Sequence, residues 1–129
     1  MDILNKEAWE QKALINAGAL SVSELMQETL ARIELVNPKV NALVNILNKE
    51  ACEKLTSADC PLGGALGGVP MAIKDLANVK GFKTTEGSPL YSERVARKDD
   101  QMVARLRAAG ALFIGKTNTP EFGLGSNTF

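Results

Sequence analysis

Apolar residues in the first sixty positions recur at helical spacing and predict an N-terminal helical segment. A first amphipathic helix is predicted over residues 6–17, and Gly18 is placed to end it as the residue after its C-terminal cap. Ser21 and Glu24 have the spacing of a capping box, which opens a second helix. Five residues recur at helical spacing along that helix and are expected to pack in the core: Leu25, Met26, Thr29, Leu30 and Ile33. Because a residue before proline avoids the helical region, we predict that the helix ends before the Asn-Pro pair at 37–38.

The pattern then changes from helical spacing to short apolar runs. Residues 40–47 predict a short strand, and residues 48–56 predict a third helix. After residue 60, glycine becomes frequent and a second strand is predicted over residues 69–74. A long, charged connection over residues 77–98 predicts a surface loop.

A helix and a further strand follow that connection. Asp99 or Asp100 is placed to cap a helix that runs to Ala109, with Gly110 after its end. The face of this helix has four predicted members: Met102, Val103, Leu106 and Ala109. Residues 111–115 form a continuous apolar run. A strand, a helix and a strand in this order predict two parallel strands that are buried on both faces.

These elements predict an α/β fold, in which N-terminal helices are followed by the first strands of a mixed sheet flanked by helices. We divide the chain into a helical segment, residues 1–60, and the start of an α/β core, residues 61–129. Thr119 and Pro120 predict one more helical turn, with the threonine as N-cap and the proline at the first helical position. No closing element follows before Phe129, so we expect a truncated core whose exposed sheet edge favours self-association.

Composition narrows the possible chemistry. The chain has 15 basic and 15 acidic residues, which argues against a nucleic-acid footprint, and it has no histidine. A Ser-His-Asp or Cys-His site within the chain is therefore excluded. Cys52 and Cys60 match no zinc-binding spacing. No signal peptide and no apolar stretch of membrane-spanning length is found, so we expect a cytoplasmic protein without metal or cofactor.

Lys74 is the residue that stands out. It lies at the end of the apolar run that starts at Val69, where ligands often bind in open α/β sheets. An ammonium held at the end of a buried strand is costly unless it is paired or deprotonated. The pattern leaves two interpretations open: an ion pair with a carboxylate such as Asp75, or a functional base.

A phosphate-binding loop is the motif that we reject. Residues 110–117 match G-x-x-x-x-G-K-[ST], but the four residues between the glycines have the composition of a strand. Gly110 follows a predicted helix, and Pro120 interrupts the helix that such a loop requires. We therefore predict no nucleotide site.

Several segments, in the right order, resemble the amidase signature family of amide hydrolases. Gly64–Asp75 is similar to the G-x-L-x-G-[IV]-P-x-x-[IV]-K-D motif of that family, and Thr84–Ser88 resembles the loop that follows it. Asp100–Ala111 and Gly115–Phe122 are similar to the next helix and strand-turn. Ser21–Asn41 resembles the family's lead-in.

The resemblance implies a Ser–cis-Ser–Lys mechanism in which Lys74 is the neutral base, lowered in pKa by burial. It implies a small amide as substrate, with the backbone near Gly123 beside the acyl pocket. The two serines of the family belong to a glycine- and serine-rich stretch that these residues do not contain. Ser126, Ser88 and Ser92 are not expected to replace them.

Three functions remain open on the sequence. The first is an amidase, present here as an N-terminal portion that is inactive alone. The second is the amidase subunit of a glutamyl/aspartyl-tRNA amidotransferase. The third is a non-catalytic interaction module.

Overall fold

The computed structural model describes residues 2–57 and 62–129. The predicted boundary at residues 60 and 61 lies outside the described residues, as does Cys60. The helices are α1 (Ala8–Asn16), α2 (Val22–Val40), α3 (Lys49–Leu55) and α4 (Gln101–Ala108), and the strands are β1 (Leu43–Ile46), β2 (Pro70–Lys74) and β3 (Leu112–Thr117). Single 3-10 turns lie at Ile3–Asn5, Pro89–Tyr91 and Glu121–Gly123.

Two predicted helix caps in the N-terminal segment are present in the structure. The Ser21 hydroxyl accepts a hydrogen bond from the Glu24 N–H at 3.1 Å, and the Glu24 carboxylate accepts one from the Ser21 N–H at 2.8 Å. The capping box is thereby confirmed. Gly18 follows α1 at a φ of 68°, as expected of the residue after a C-terminal cap.

The predicted end of α2 is wrong. The helix continues through Pro38 to Val40, and Asn41 ends it in the left-handed conformation. The Asn37 side chain donates to the Leu43 carbonyl at 3.0 Å and accepts from the Leu43 N–H at 2.8 Å. These bonds tie the last helical turn to β1, and such tertiary bonds outweigh the local preference against helix before proline.

The three strands form one mixed sheet in the order β1-β3-β2. β2 and β3 are parallel, as predicted, and β1 pairs with β3 in the antiparallel direction. β3 lies in the centre and its first five residues are buried. The prediction that both parallel strands are buried on both faces is wrong for β2, because β2 lies at an edge of the sheet and is mostly half-buried.

Alternate residues around β3 supply two hydrophobic clusters. Leu112 and Ile114 belong to one cluster with residues of α1, α2 and α3. Phe113 belongs to the other, together with Ile73 of β2 and Val103 of α4. Because successive side chains of a strand point to opposite faces, β3 joins the two halves of the chain through one core element.

Three predictions after β2 need correction. Met102 is 54% exposed while Val103 is fully buried, because neighbouring positions of a helix point about 100° apart. The connection 77–98 carries exposed charges, but it also buries Val79, Thr84, Ser88 and Ala96 in the molecule. Pro120 takes the N-cap position of the last 3-10 turn, so that turn begins one residue later than predicted. Among the described residues, no helix has both the length and the apolar character that a membrane span requires.

Candidate active site

The carboxyl ends of β2 and β3 meet at one edge of the sheet. Lys74, the last residue of β2, lies opposite Thr117, the last residue of β3. The Asp75 N–H continues the ladder by donating to the Thr117 carbonyl at 3.0 Å. In open α/β sheets this edge is where ligands bind, so the position of Lys74 agrees with a functional role.

Lys74 itself is exposed, which contradicts the prediction that its ammonium is buried. The side chains on either side of it, Ile73 and Asp75, are 4% and 1% exposed. Since side chains alternate along a strand, Lys74 points away from the core that its two neighbours enter. Within residues 2–57 and 62–129, the Lys74 ammonium has no hydrogen-bond or ion-pair partner.

The buried lysine of this edge is Lys116, which the sequence pattern did not single out. Its side chain is fully buried in β3, and its ammonium lies 3.3 Å from a carboxylate oxygen of Asp75. It also donates to the Ala77 carbonyl at 2.6 Å and to the Thr84 hydroxyl at 3.0 Å. Burial lowers the pKa of Lys116, and attraction to Asp75 acts in the opposite direction.

The carboxylate of Asp75 is held from two directions. Besides Lys116, it accepts a hydrogen bond from the Thr85 N–H at 3.1 Å and another from the Thr85 hydroxyl. The open alternative that Lys74 forms an ion pair with Asp75 is therefore wrong in this structure, because Asp75 pairs with Lys116 instead.

The positions of β3 and α4 show that residues 110–117 do not form a phosphate-binding loop. Residues Leu112–Thr117 are β3, and Gly110 follows α4 at a φ of 92°. The motif lysine, Lys116, is already bound to three oxygen partners inside the core. A lysine buried in this way has no free N–H to offer a phosphate.

Gly123 lies in the 3-10 turn that follows β3. It has a φ of 72°, and a Cβ atom at this position would lie 2.8 Å from a methyl carbon of Leu76. Its N–H donates to the Pro120 carbonyl at 2.8 Å. The positive φ and the close approach of Leu76 account for a glycine at this position.

The three serines that follow Lys74 in the sequence are Ser88, Ser92 and Ser126. The Ser88 hydroxyl is buried and donates to the Glu121 carboxylate at 2.7 Å. Ser92 and Ser126 are exposed. A cavity of about 320 Å³ opens beside Asp75 and is lined in part by Ser88 and Ser92. Within the described residues, none of the three serines is hydrogen-bonded to Lys74.

In residues 2–57 and 62–129, no three His, Cys, Asp or Glu side chains are grouped to hold a metal ion. Cys52 is fully buried between α2 and β3, and burial raises the pKa of its thiol.

Comparison with known proteins places this geometry in a family. The family model described as Amidase matches residues 24–129. A glutamyl-tRNA(Gln) amidotransferase subunit from Salinispora arenicola is 37% identical over 98% of the chain, and indoleacetamide hydrolase of Bradyrhizobium diazoefficiens is 40% identical over 89%. The native peptide amidase of Stenotrophomonas maltophilia superimposes with a TM-score of 0.80 at 30% identity, over 94% of the chain.

The chain spans only part of each of these relatives. It covers 27% of the Salinispora protein, 23% of the Bradyrhizobium protein and 26% of the Stenotrophomonas structure. The predicted α/β architecture and the predicted resemblance are both confirmed by these matches. The chain belongs to the amidase family.

Proposed function

We propose that the gene product containing residues 1–129 hydrolyses a carboxylic amide through an acyl-enzyme, with Lys74 as the base. The observation that carries the proposal is the position of Lys74 within the matched region. It stands at the carboxyl end of a parallel strand and points outward, while the adjacent carboxylate is already neutralised by Lys116. An ammonium that forms no ion pair can lose its proton, and the resulting amine can act as a base.

The proposed chemistry needs two serines in addition to Lys74. The nucleophilic serine attacks the amide carbon, and its proton passes through a bridging serine to Lys74. Lys74 then returns a proton to the departing amine, and water hydrolyses the remaining ester. Residues 1–129 contain no glycine- and serine-rich stretch, so we propose that both serines come from such a stretch elsewhere in the gene product.

Lys74 is exposed in this structure, whereas a lysine that acts as a base is usually buried. Burial is the usual way to lower the pKa of a lysine into the range of a working base. We propose that the serine-bearing part of the protein packs over the edge of the sheet and excludes water from Lys74. The same packing would cover the outer edge of β2, which among the described residues pairs only with β3.

The test is hydrolysis of a panel of amides by the purified gene product. The panel contains butyramide, benzamide, indole-3-acetamide and glutamine, with released ammonia as the readout. We expect release from at least one of the four amides, and a Lys74→Ala variant of the same protein should show none above background. Release that survives Lys74→Ala would contradict the assigned base. No release from any amide would contradict the proposed activity.

A second function is favoured by the match to a glutamyl-tRNA(Gln) amidotransferase subunit over 98% of the chain. In that case, ammonia release from glutamine should depend on a partner protein. Co-purification from the native host, followed by the glutamine assay with and without the partner, separates the two. The third possibility, a non-catalytic interaction module, would show no ammonia release in either assay.

Three further points belong to the same proposal. Gly123 is proposed to border the acyl pocket, which is supported by its nearness to Leu76, two residues after Lys74: a Cβ atom at Gly123 would lie 2.8 Å from a Leu76 methyl carbon. The isolated 129-residue chain is proposed to associate through the outer strand edges, and light scattering after size exclusion measures this. We also propose a cytoplasmic location, because two cysteines in a chain of this size do not predict a disulfide scaffold.

A further inference from the structure

Two buried charged side chains near Lys74 have no part in the chemistry proposed so far. Lys116 and Asp75 are 0% and 1% exposed, and each is held by hydrogen bonds from or to at least two other groups. Thr84 and Thr85 supply side-chain contacts to the pair. A buried ion pair often contributes little net stability, so stability alone does not explain why this pair lies near the carboxyl ends of β2 and β3.

We propose that Lys116 and Asp75 are positioning residues that fix the direction of Lys74 and set its affinity for a proton. This inference rests on the proposed function, in which Lys74 is the base. Asp75 is covalently next to Lys74, and its N–H bonds to Thr117 while its carboxylate bonds to Lys116. With backbone and side chain of Asp75 both held, the Cα–Cβ direction of the preceding residue is held as well.

The pair acts on Lys74 through charge in a definite direction. An ionised Asp75 alone would stabilise the protonated form of Lys74 and make it a poorer base at neutral pH. The Lys116 ammonium lies 3.3 Å from an Asp75 carboxylate oxygen, and two opposite charges this close offset each other at a distance. The other charges that act on Lys116 are Asp100, at the start of α4, and Arg94, which is itself paired with Glu86.

The test uses the pH dependence of kcat/KM in the gene product, with the amide that is hydrolysed fastest in the panel. Lys116→Met removes the internal cation and should move the acidic limb to higher pH by roughly half a unit to one unit. The double variant Lys116→Met/Asp75→Asn removes both charges and should return the limb towards its original position. Lys54→Met is the matched control, because the Lys54 side chain is 75% exposed and pairs with Glu50 on α3.

Circular dichroism at each pH identifies the range in which the folded fraction is constant, and within that range a merely structural role would not move the limb. An unchanged limb in Lys116→Met would overturn the inference, as would a shift that the double variant does not reverse. If Lys74→Arg retains full activity, the proposed function fails instead, whatever the behaviour of Lys116. The two failures are therefore distinguishable.

A second variant decides the matter if Lys116→Met does not fold. Thr85→Val removes one hydroxyl donor from Asp75 and leaves both charges in place. We expect kcat to fall about tenfold with KM unchanged, because the base is held less firmly. Thr85→Ser keeps the hydroxyl and should restore kcat. An unchanged kcat in Thr85→Val would overturn the positioning role.

Discussion

Replacement of Lys116 by methionine should lower the free energy of unfolding more than a comparable replacement at the surface. The ammonium is fully buried against an equally buried Asp75. Removing one member of such a pair leaves an uncompensated charge in the core, which costs about 3–5 kcal/mol. Lys54→Met makes the same chemical change at a pair that is 75% exposed on both sides, where about 0.5 kcal/mol or less is at stake.

The assay is urea unfolding of the 129-residue chain, followed by circular dichroism at the helical minimum. Trp9 is 72% exposed, so its fluorescence would respond weakly to unfolding. With an m value of about 2 kcal/mol per M, a loss of about 4 kcal/mol moves the midpoint down by about 2 M. The double variant Lys116→Met/Asp75→Leu should recover much of that loss because no charge remains buried.

The result that would refute this reasoning is a midpoint in Lys116→Met that falls no further than in Lys54→Met. It would mean that the ammonium reaches water in solution and that the core around Asp75 is open. A double variant less stable than Lys116→Met would equally show that charge compensation is not what the pair provides.

Three other outcomes follow from the same contacts. The isolated chain should release no ammonia from the amide panel, and activity that persists in its Lys74→Ala variant would contradict the assignment of the nucleophile to a segment outside residues 1–129. The hydrogen bond from Arg107 lowers the pKa of Asp99 to about 2 from 3.8, so the stability that this pair contributes to the fold is full above pH 4 and is lost as pH falls from 4 towards 2. Asp99→Asn should reduce this acid-dependent loss of stability by about 1 kcal/mol, measured as urea midpoints from pH 5 to 2. Gly110→Ala should destabilise by more than about 2 kcal/mol because its Cβ would lie 2.4 Å from a backbone oxygen at a φ of 92°, whereas Gly18→Ala, with open space at a φ of 68°, should cost about 1 kcal/mol; equal losses in thermal unfolding would contradict this.

The features that the sequence predicted correctly depend on local chemistry or on chain connectivity. The capping box at Ser21 and Glu24 needs only residues three apart. The parallel arrangement of β2 and β3 follows from the strand-helix-strand order alone. The end of α2 was missed because Asn37 is bonded to Leu43, and no local rule contains that contact.

The site was only partly predictable for a related reason. Lys74 and Lys116 both lie at the end of an apolar run, and the pattern alone does not say which one is buried. The difference arises from strand order, since β3 lies between two strands and β2 at an edge. Strand order depends on the antiparallel pairing of β1, which no periodicity revealed. The position of Lys74 at the carboxyl end of its strand was predictable, and the pairing of Asp75 with Lys116 was not.

The most direct test of the central claim is kcat of the gene product after Lys74→Arg. Arginine keeps the positive charge and most of the length but does not lose its proton, so it is unable to serve as a base. We predict a fall in kcat of about 100-fold or more with little change in KM, and a circular dichroism spectrum like that of the original protein. A kcat within a few-fold of the original value would show that Lys74 has a structural role and would contradict the account.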